Sequence, residues 1–296
     1  MHRPGFSFAT GNEDIIRVMT DYLRRSTDYH DVEVASALDE LSFWSSRFGQ
    51  LLFKHLKLRR GIQILDLGFG TGFPLFELAQ TFGESCHVTG LDPWQEAITR
   101  ARLKQKVYEL PNVTIIEGDG AKQPFEDGTF DLIVSNLGVN NFTEARLVMA
   151  ECFRVARAGA QLAITTNLKG HYGEFYDIYR GVLLELNKER HMERLNADEE
   201  RRGTKETVRA LFTGAGFEVT KAIEDSFEMR FLDGSALLRH FLVRIGFLDS
   251  WRKVVTPEEE EEVFALLEKR LNEAAAQEGE LRMTVPMLYV EGKKGA

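Results

Sequence analysis

The chain has 296 residues, of which 37 are Lys or Arg and 46 are Asp or Glu, for a net charge of -9. That acidic balance argues against a nucleic-acid partner, whose phosphates demand clustered cations. Hydrophobic residues make up 43% and charged residues 28%, a composition that fits a globular α/β domain with additions and contains no apolar run near the roughly 20 residues of a membrane span.

From about Asn12 to Leu58 the pattern predicts helices. Ile15, Ile16, Met19 and Leu23 share one apolar face, and Leu38, Leu41, Phe48, Leu51, Leu52 and Leu56 another. An aromatic stretch, Leu41 to Gly49, precedes the first predicted strand. Next comes Ile62-Gln63-Ile64-Leu65-Asp66-Leu67-Gly68-Phe69-Gly70-Thr71-Gly72-Phe73-Pro74. It reads as a buried strand, a glycine-rich turn and a helix opening with Pro74 in its first turn. Such a turn lets backbone approach a ligand closely and aims helix N–H groups at it. The dinucleotide fingerprint G-x-G-x-x-G needs a third Gly where Phe73 stands. The pattern present, D-x-G-x-G-x-G from Asp66, resembles motif I of the class I S-adenosylmethionine-dependent methyltransferases.

Further segments extend that resemblance in order. Cys86 to Asp92 reads as a second strand ending in an acid, placed to accept hydrogen bonds from ribose hydroxyls or to cap the following helix, Trp94 to about Lys106. In the family the matching acid binds the ribose and the residues after it, here Pro93 and Trp94, flank the adenine. Val113 to Glu117 is the third strand, followed by Gly118-Asp119-Gly120-Ala121 and Gln123-Pro124-Phe125. This resembles the family's adenine-binding segment with one extra Gly, and it carries over Asp119, Gly120 and Ala121. Phe130 to Asn136 is the fourth strand; Asp131 at its start is expected to be structural. At its carboxyl end Ser135, Asn136 and Leu137 are expected to face the methionine part of the cofactor and the acceptor. Asn136-Leu137-Gly138-Val139 lacks the two prolines that family members acting on bases or amides carry here. A helix from Thr143 to about Ala156, a turn at Arg157 to Ala160 and a fifth strand, Gln161 to Thr166, complete the alternation.

Beyond Asn167 the regular pattern stops. A loop containing His171 and Tyr172 precedes a helix from Glu174 to about Arg194. Thr204 starts another helix, which Gly214-Ala215-Gly216 closes before a sixth strand, Phe217 to about Ile223. The last strand is Thr284 to about Glu291. Between them, Thr256-Pro257-Glu258-Glu259 reads as a helix start with a capping box. The acids from Glu258 to Glu262 read as a solvated helix face.

The resemblance implies a doubly wound, mostly parallel seven-stranded sheet of the Rossmann-like methyltransferase kind, close to the type 11 and type 25 small-molecule domains. The expected division is an N-terminal helical cap at 1–58 and a cofactor-binding core at 59–168, completed by 204–225 and 284–296. Helical insertions at 169–203 and 226–283 form a substrate lid. The implied cofactor is S-adenosyl-L-methionine, held by Asp66, Gly68, Phe69, Gly70, Gly72, Asp92, Pro93, Trp94, Asp119, Gly120, Ala121, Ser135, Asn136 and Leu137. The implied partner is a small-molecule methyl acceptor, with no nucleic acid, membrane or metal involved. Candidate pocket residues are Tyr22, Tyr29, His30, Trp44 and His240. His171 with Tyr172 beside it is the candidate catalytic pair.

Transfer from a sulfonium is an in-line displacement, so the protein chiefly orients and desolvates, and a base matters only for acceptors of high pKa. Cys86 and Cys152 fall in apolar elements, which points to reduced thiols and away from arsenite, a substrate that needs a thiol cluster. Without an apolar leader at Met1 to Gly5, the expected address is the cytoplasm. Two other classes remain: a catalytically silent, cofactor-binding relative, and a nicotinamide oxidoreductase.

Overall fold

The computed structural model describes residues 20–24, 28–37 and 42–295. The expected apolar positions Ile15, Ile16, Met19, Leu38 and Leu41 lie outside these residues.

Seven strands form one sheet: β1 (Gln63–Leu67), β2 (His87–Asp92), β3 (Val113–Glu117), β4 (Phe130–Asn136), β5 (Ala156–Asn167), β6 (Glu218–Phe231) and β7 (Leu281–Lys293). Their order is β3-β2-β1-β4-β5-β7-β6. Strands β1 to β5 run parallel and β7 pairs antiparallel with β5. β1 is buried from Ile64 to Leu67 because both faces are covered, as in parallel strands. Strand order reverses between β1 and β4, so the crevice for a ligand opens at their carboxyl ends.

The helices, in chain order, are α1 (Val32–Ala37), α2 (Ser42–His55), α3 (Leu75–Phe82), α4 (Gln95–Tyr108), α5 (Ala145–Val155), α6 (Gly173–Glu185), α7 (Met192–Glu199), α8 (Lys205–Ala215), α9 (Gly234–Arg239) and α10 (Glu260–Glu278). Between α9 and α10 runs an irregular helical stretch with a π-helical turn at Arg244–Leu248. α2 packs on β4 and β5, α1 on α4, and α5 on α8. One core cluster joins Leu65 and Leu67 of β1 to Val148, Met149 and Cys152 of α5 and to Phe212 and Phe217.

The chain divides into two compact units. One comprises 28–171, 202–227 and 285–296 and holds most of the sheet; the other comprises 1–27, 172–201 and 228–284. Residues 28–37 and 42–58 therefore group with the sheet, and residues 20–24 with the other unit. In the second unit, Trp251 stacks on Phe175 at 3.8 Å between ring centroids, and α10 packs against α6 and α9. Trp251 Nε1 donates to the Tyr176 hydroxyl, which in turn donates to Asp198.

Several expected boundaries differ. Arg157 to Ala160, expected as a helix-ending turn, open β5: Ala156 already pairs with Phe130, and an irregularity follows before Leu132. The helix expected from Glu174 to Arg194 breaks after Glu185, where Asn187 takes a left-handed φ of 55°. β6 continues to Phe231 and β7 begins at Leu281, so the ends of the expected 226–283 insertion are strand. Pro74 caps α3 from outside its first turn. The Thr256 capping box does not form: α10 begins at Glu260, and the Glu259 carboxylate accepts from the Thr256 hydroxyl at 3.2 Å and turns to cations. Glu259, only 12% exposed, pairs with Lys188 at 3.0 Å, His191 at 2.7 Å and Arg190. Glu260 binds Arg252 and Glu261 binds Arg24. Glu259 and Glu260, read as part of a solvated face, are thus half-buried ties within their unit, while Glu258, Glu261 and Glu262 are exposed as expected.

Candidate functional site

The site begins at the carboxyl end of β1. Gly68, Gly70 and Gly72 all have positive φ, at 78°, 53° and 113°. Only glycine adopts these without strain, which is why the turn needs them. Gly68 lies back to back with Gly138, whose Cα would be 3.2 Å from a Cβ added at Gly68. A Cβ on Gly70 would meet nothing within 4 Å, so here the backbone faces open space. The Phe69 ring instead turns inward and packs on Gly90, so that residue offers a ligand its backbone alone.

Two acids flank the turn. Asp92, 6% exposed, accepts from Gly70 N at 2.7 Å through one carboxylate oxygen and from Trp94 N at 2.8 Å through the other. Burial raises its pKa, and the two N–H bonds pull it back. Asp66 is fully buried, and neither of its carboxyl oxygens has a hydrogen-bond partner. Burial, then the nearby Asp92 charge, push its pKa well above the usual carboxylate range.

Asp119 is exposed, and its Oδ1 accepts from Ala121 N at 2.8 Å in a side-chain turn. The connection behind it is pinned by Arg154, which binds Glu151, Asp127 and the carbonyls of Gln123 and Phe125. The expected structural role of Asp131 holds: it accepts from Gln63 N at 2.9 Å and pairs with Arg157 at 2.6 Å.

At the end of β4 the side chains act as fasteners. Ser135 Oγ donates to Leu67 O at 2.7 Å. Asn136 Oδ1 accepts from the Thr165 hydroxyl at 2.7 Å, and its Nδ2 donates to Ser45 O at 3.2 Å. Leu137, with φ 68°, donates its N–H to Thr165 O. A further chain of bonds runs from Thr166 to Asn140 and from Asn140 to Asn167, leaving buried Asn167 Nδ2 without an acceptor.

The pocket candidates separate. Trp44 lies 5.4 Å from the His171 ring, 6.2 Å from Phe227 and 5.2 Å from Phe48, and Arg47 sits 5.8 Å over Phe227. His171 is 5% exposed. Tyr29 partners Trp94 instead: its carbonyl accepts from Trp94 Nε1 at 3.0 Å. His30 is exposed beside Glu96. Pro93 is exposed at the same end of β2. Tyr172, Tyr22 and His240 belong to the second unit. Tyr172 is buried there, its hydroxyl on Met229 Sδ and its ring near Phe247, so it helps fill the core of that unit. Tyr22 lies buried under the Arg239 guanidinium at 4.7 Å, and His240 abuts Phe231. Phe227 and Asn167 escaped sequence reasoning. Phe227 opens the alternation Phe227-Glu228-Met229-Arg230-Phe231, a strand signal that could have found it, whereas Asn167 ends a strand like many others.

These residues fit S-adenosylmethionine. A buried carboxyl without a partner, an open glycine backbone and a second acid at the next strand end suit its cationic and ribose groups in turn.

Residues 65–164 match the family described as methyltransferase domain. Over 110 residues the chain is 34% identical to the demethylmenaquinone methyltransferase of Listeria welshimeri, covering 37% of this chain and 47% of the relative. An arsenite methyltransferase of Halobacterium salinarum is 35% identical over 105 residues, 36% of this chain and 27% of that one. The chain thus spans about half or less of the length of these curated relatives. A solved structure of a putative methyltransferase from Bacillus halodurans superposes with a TM-score of 0.53 at 17% identity, over 86% of this chain and 99% of that one. The sheet and its glycine turn are those of the Rossmann-like methyltransferase fold. Residues 65–164 form a class I S-adenosylmethionine-dependent methyltransferase domain.

Proposed function

We propose that the protein moves a methyl group from S-adenosylmethionine to a small-molecule acceptor with a flat, largely apolar body. One observation carries the cofactor half: Asp66, buried without a partner beneath a glycine turn whose backbone is open at Gly70. The cofactor supplies an activated methyl on sulfur. The chain supplies the rest. Asp92 and the Gly68–Gly72 turn hold the nucleoside and methionine parts, with Trp94, Asp119, Gly120 and Ala121 around the adenine. Ser135, Asn136 and Leu137 fix the strand end beside them.

The acceptor half rests on the ring cluster of Trp44, Phe48 and Phe227, which His171 joins edge-on through Trp44. Flat aromatic walls favour a planar acceptor. The relatives' quinone-type name agrees with that shape, and Cys86 and Cys152, both buried and unbridged, do not provide an arsenite thiol cluster. His171 takes a proton from an acceptor hydroxyl or carbon acid as the methyl arrives. The test is a panel of quinols, phenols, aliphatic amines and thiols incubated with methyl-tritiated cofactor. Label should enter planar aromatic acceptors, and His171→Ala should lower kcat on the order of 100-fold with little change in KM. Label confined to aliphatic amines would overturn the acceptor reading.

A further inference from the structure

We propose that Asp66 holds a proton in the free protein and releases it when the cationic cofactor docks, so that cofactor binding is coupled to proton release. The inference rests on the cofactor reading above and adds a proton to it. An ionised carboxylate enclosed in protein needs a partner, because the lost hydration is otherwise uncompensated. Asp66 has none at either oxygen.

Among the described residues, the neighbouring elements offer no cation. On β2, Gly90 is in register with Asp66, and Asp92 adds a second negative charge. On β3, Glu117 is in register with Asp92 and is exposed. On β4, Val134 is in register with Asp66, followed by uncharged Ser135 and Asn136, whose side chains are already bonded elsewhere. The turn from Gly68 to Gly72 and the segment Gly138–Asn141 carry no titratable side chain. Asp66 lies on the face opposite Leu65 and Leu67. The charged groups of α2 and α3, among them Arg47, Lys54 and Glu77, are at the surface. The neutral acid is therefore the state that the free protein sustains.

S-adenosylmethionine brings a sulfonium and an ammonium into this enclosure. An opposite charge in a dry site favours the ionised carboxylate. The O–H bond of Asp66 then breaks, its electrons stay on the carboxylate, and the proton leaves to the buffer. By linkage, affinity rises with pH while the free protein holds a proton that the complex has lost, by up to about tenfold per pH unit.

The experiment is titration calorimetry at pH 6.5 in two buffers of different ionisation enthalpy. At that pH the cofactor's own amino group, ordinarily titrating near about 8, stays protonated. We expect the apparent heat to vary with buffer in the sense of proton release, by up to one proton per site, and Asp66→Asn to bind with no such dependence. Binding without buffer dependence would overturn the proton coupling and leave the cofactor reading standing. Release that persists in Asp66→Asn would assign the proton to another group and overturn the role of Asp66. No binding at all would overturn both. Should the variant fail to fold, an infrared difference spectrum of the wild-type protein decides. Loss of a protonated carboxyl band on binding supports the coupling, and an unchanged band overturns it.

Discussion

Asp92 spends both carboxylate oxygens on backbone N–H groups, Gly70 and Trp94, before any ligand arrives. It therefore shapes the glycine turn as well as offering acceptors to a ribose. Asp92→Ala should weaken S-adenosylmethionine binding by about 2 kcal/mol, the scale of hydrogen bonds to a charged group, and calorimetry reads it directly. Unchanged affinity would remove the ribose assignment. Gly70→Val places a side chain at φ 53° over open space. The free protein should lose only about 1–2 kcal/mol from the left-handed backbone, whereas cofactor affinity should collapse. Tyr172→Phe should leave turnover unchanged, since that hydroxyl contacts Met229 in a core. The motif acids and glycines were legible in the sequence because turn chemistry is local. The burial of Tyr172 against Met229 and Phe247 was not, because those partners come from far along the chain and nothing local marks them.

Elements were read best where one local rule decides. Strands β1, β3 and β4 are short apolar runs bounded by turns, and all three lie where the pattern puts them. Helix α8 also starts as read: Thr204 and Thr207 form a reciprocal cap, and Gly216 closes the helix with φ 103°. Thr204→Ala should cost about 1 kcal/mol in chemical denaturation. Where tertiary pairing decides, the reading failed. The Thr256 cap looked sound locally, yet Glu259 is drawn to Lys188, Arg190 and His191 from a distant part of the chain. The full length of β6 and β7 likewise depends on strand pairing that no single segment encodes.

For the molecule as a whole, the parallel run of β1 to β5 follows from the alternation of strands and helices, whereas the placing of β7 between β5 and β6 does not. The grouping of residues 20–24 with 172–201 and 228–284 does not, because it depends on contacts between distant segments. Within that unit the Glu259 cluster sets an acid limit. Its lysine and histidine partners hold the Glu259 carboxyl down to about 2. A depressed carboxylate stabilises fully above the unfolded pKa near about 4.5 and loses that contribution as pH falls toward the folded value. Glu259→Gln should therefore lower Tm at pH 7 by a few degrees, with the difference from wild type shrinking progressively below pH 4.5. A constant difference across that range would contradict the ion-pair account. The central claim, a methyl-donor site at the ends of β1 and β2, is tested most directly by calorimetric titration with S-adenosylmethionine, S-adenosylhomocysteine and NAD side by side. Binding of both sulfur nucleosides with no heat from NAD is the expected result. NAD binding without either of them would contradict it.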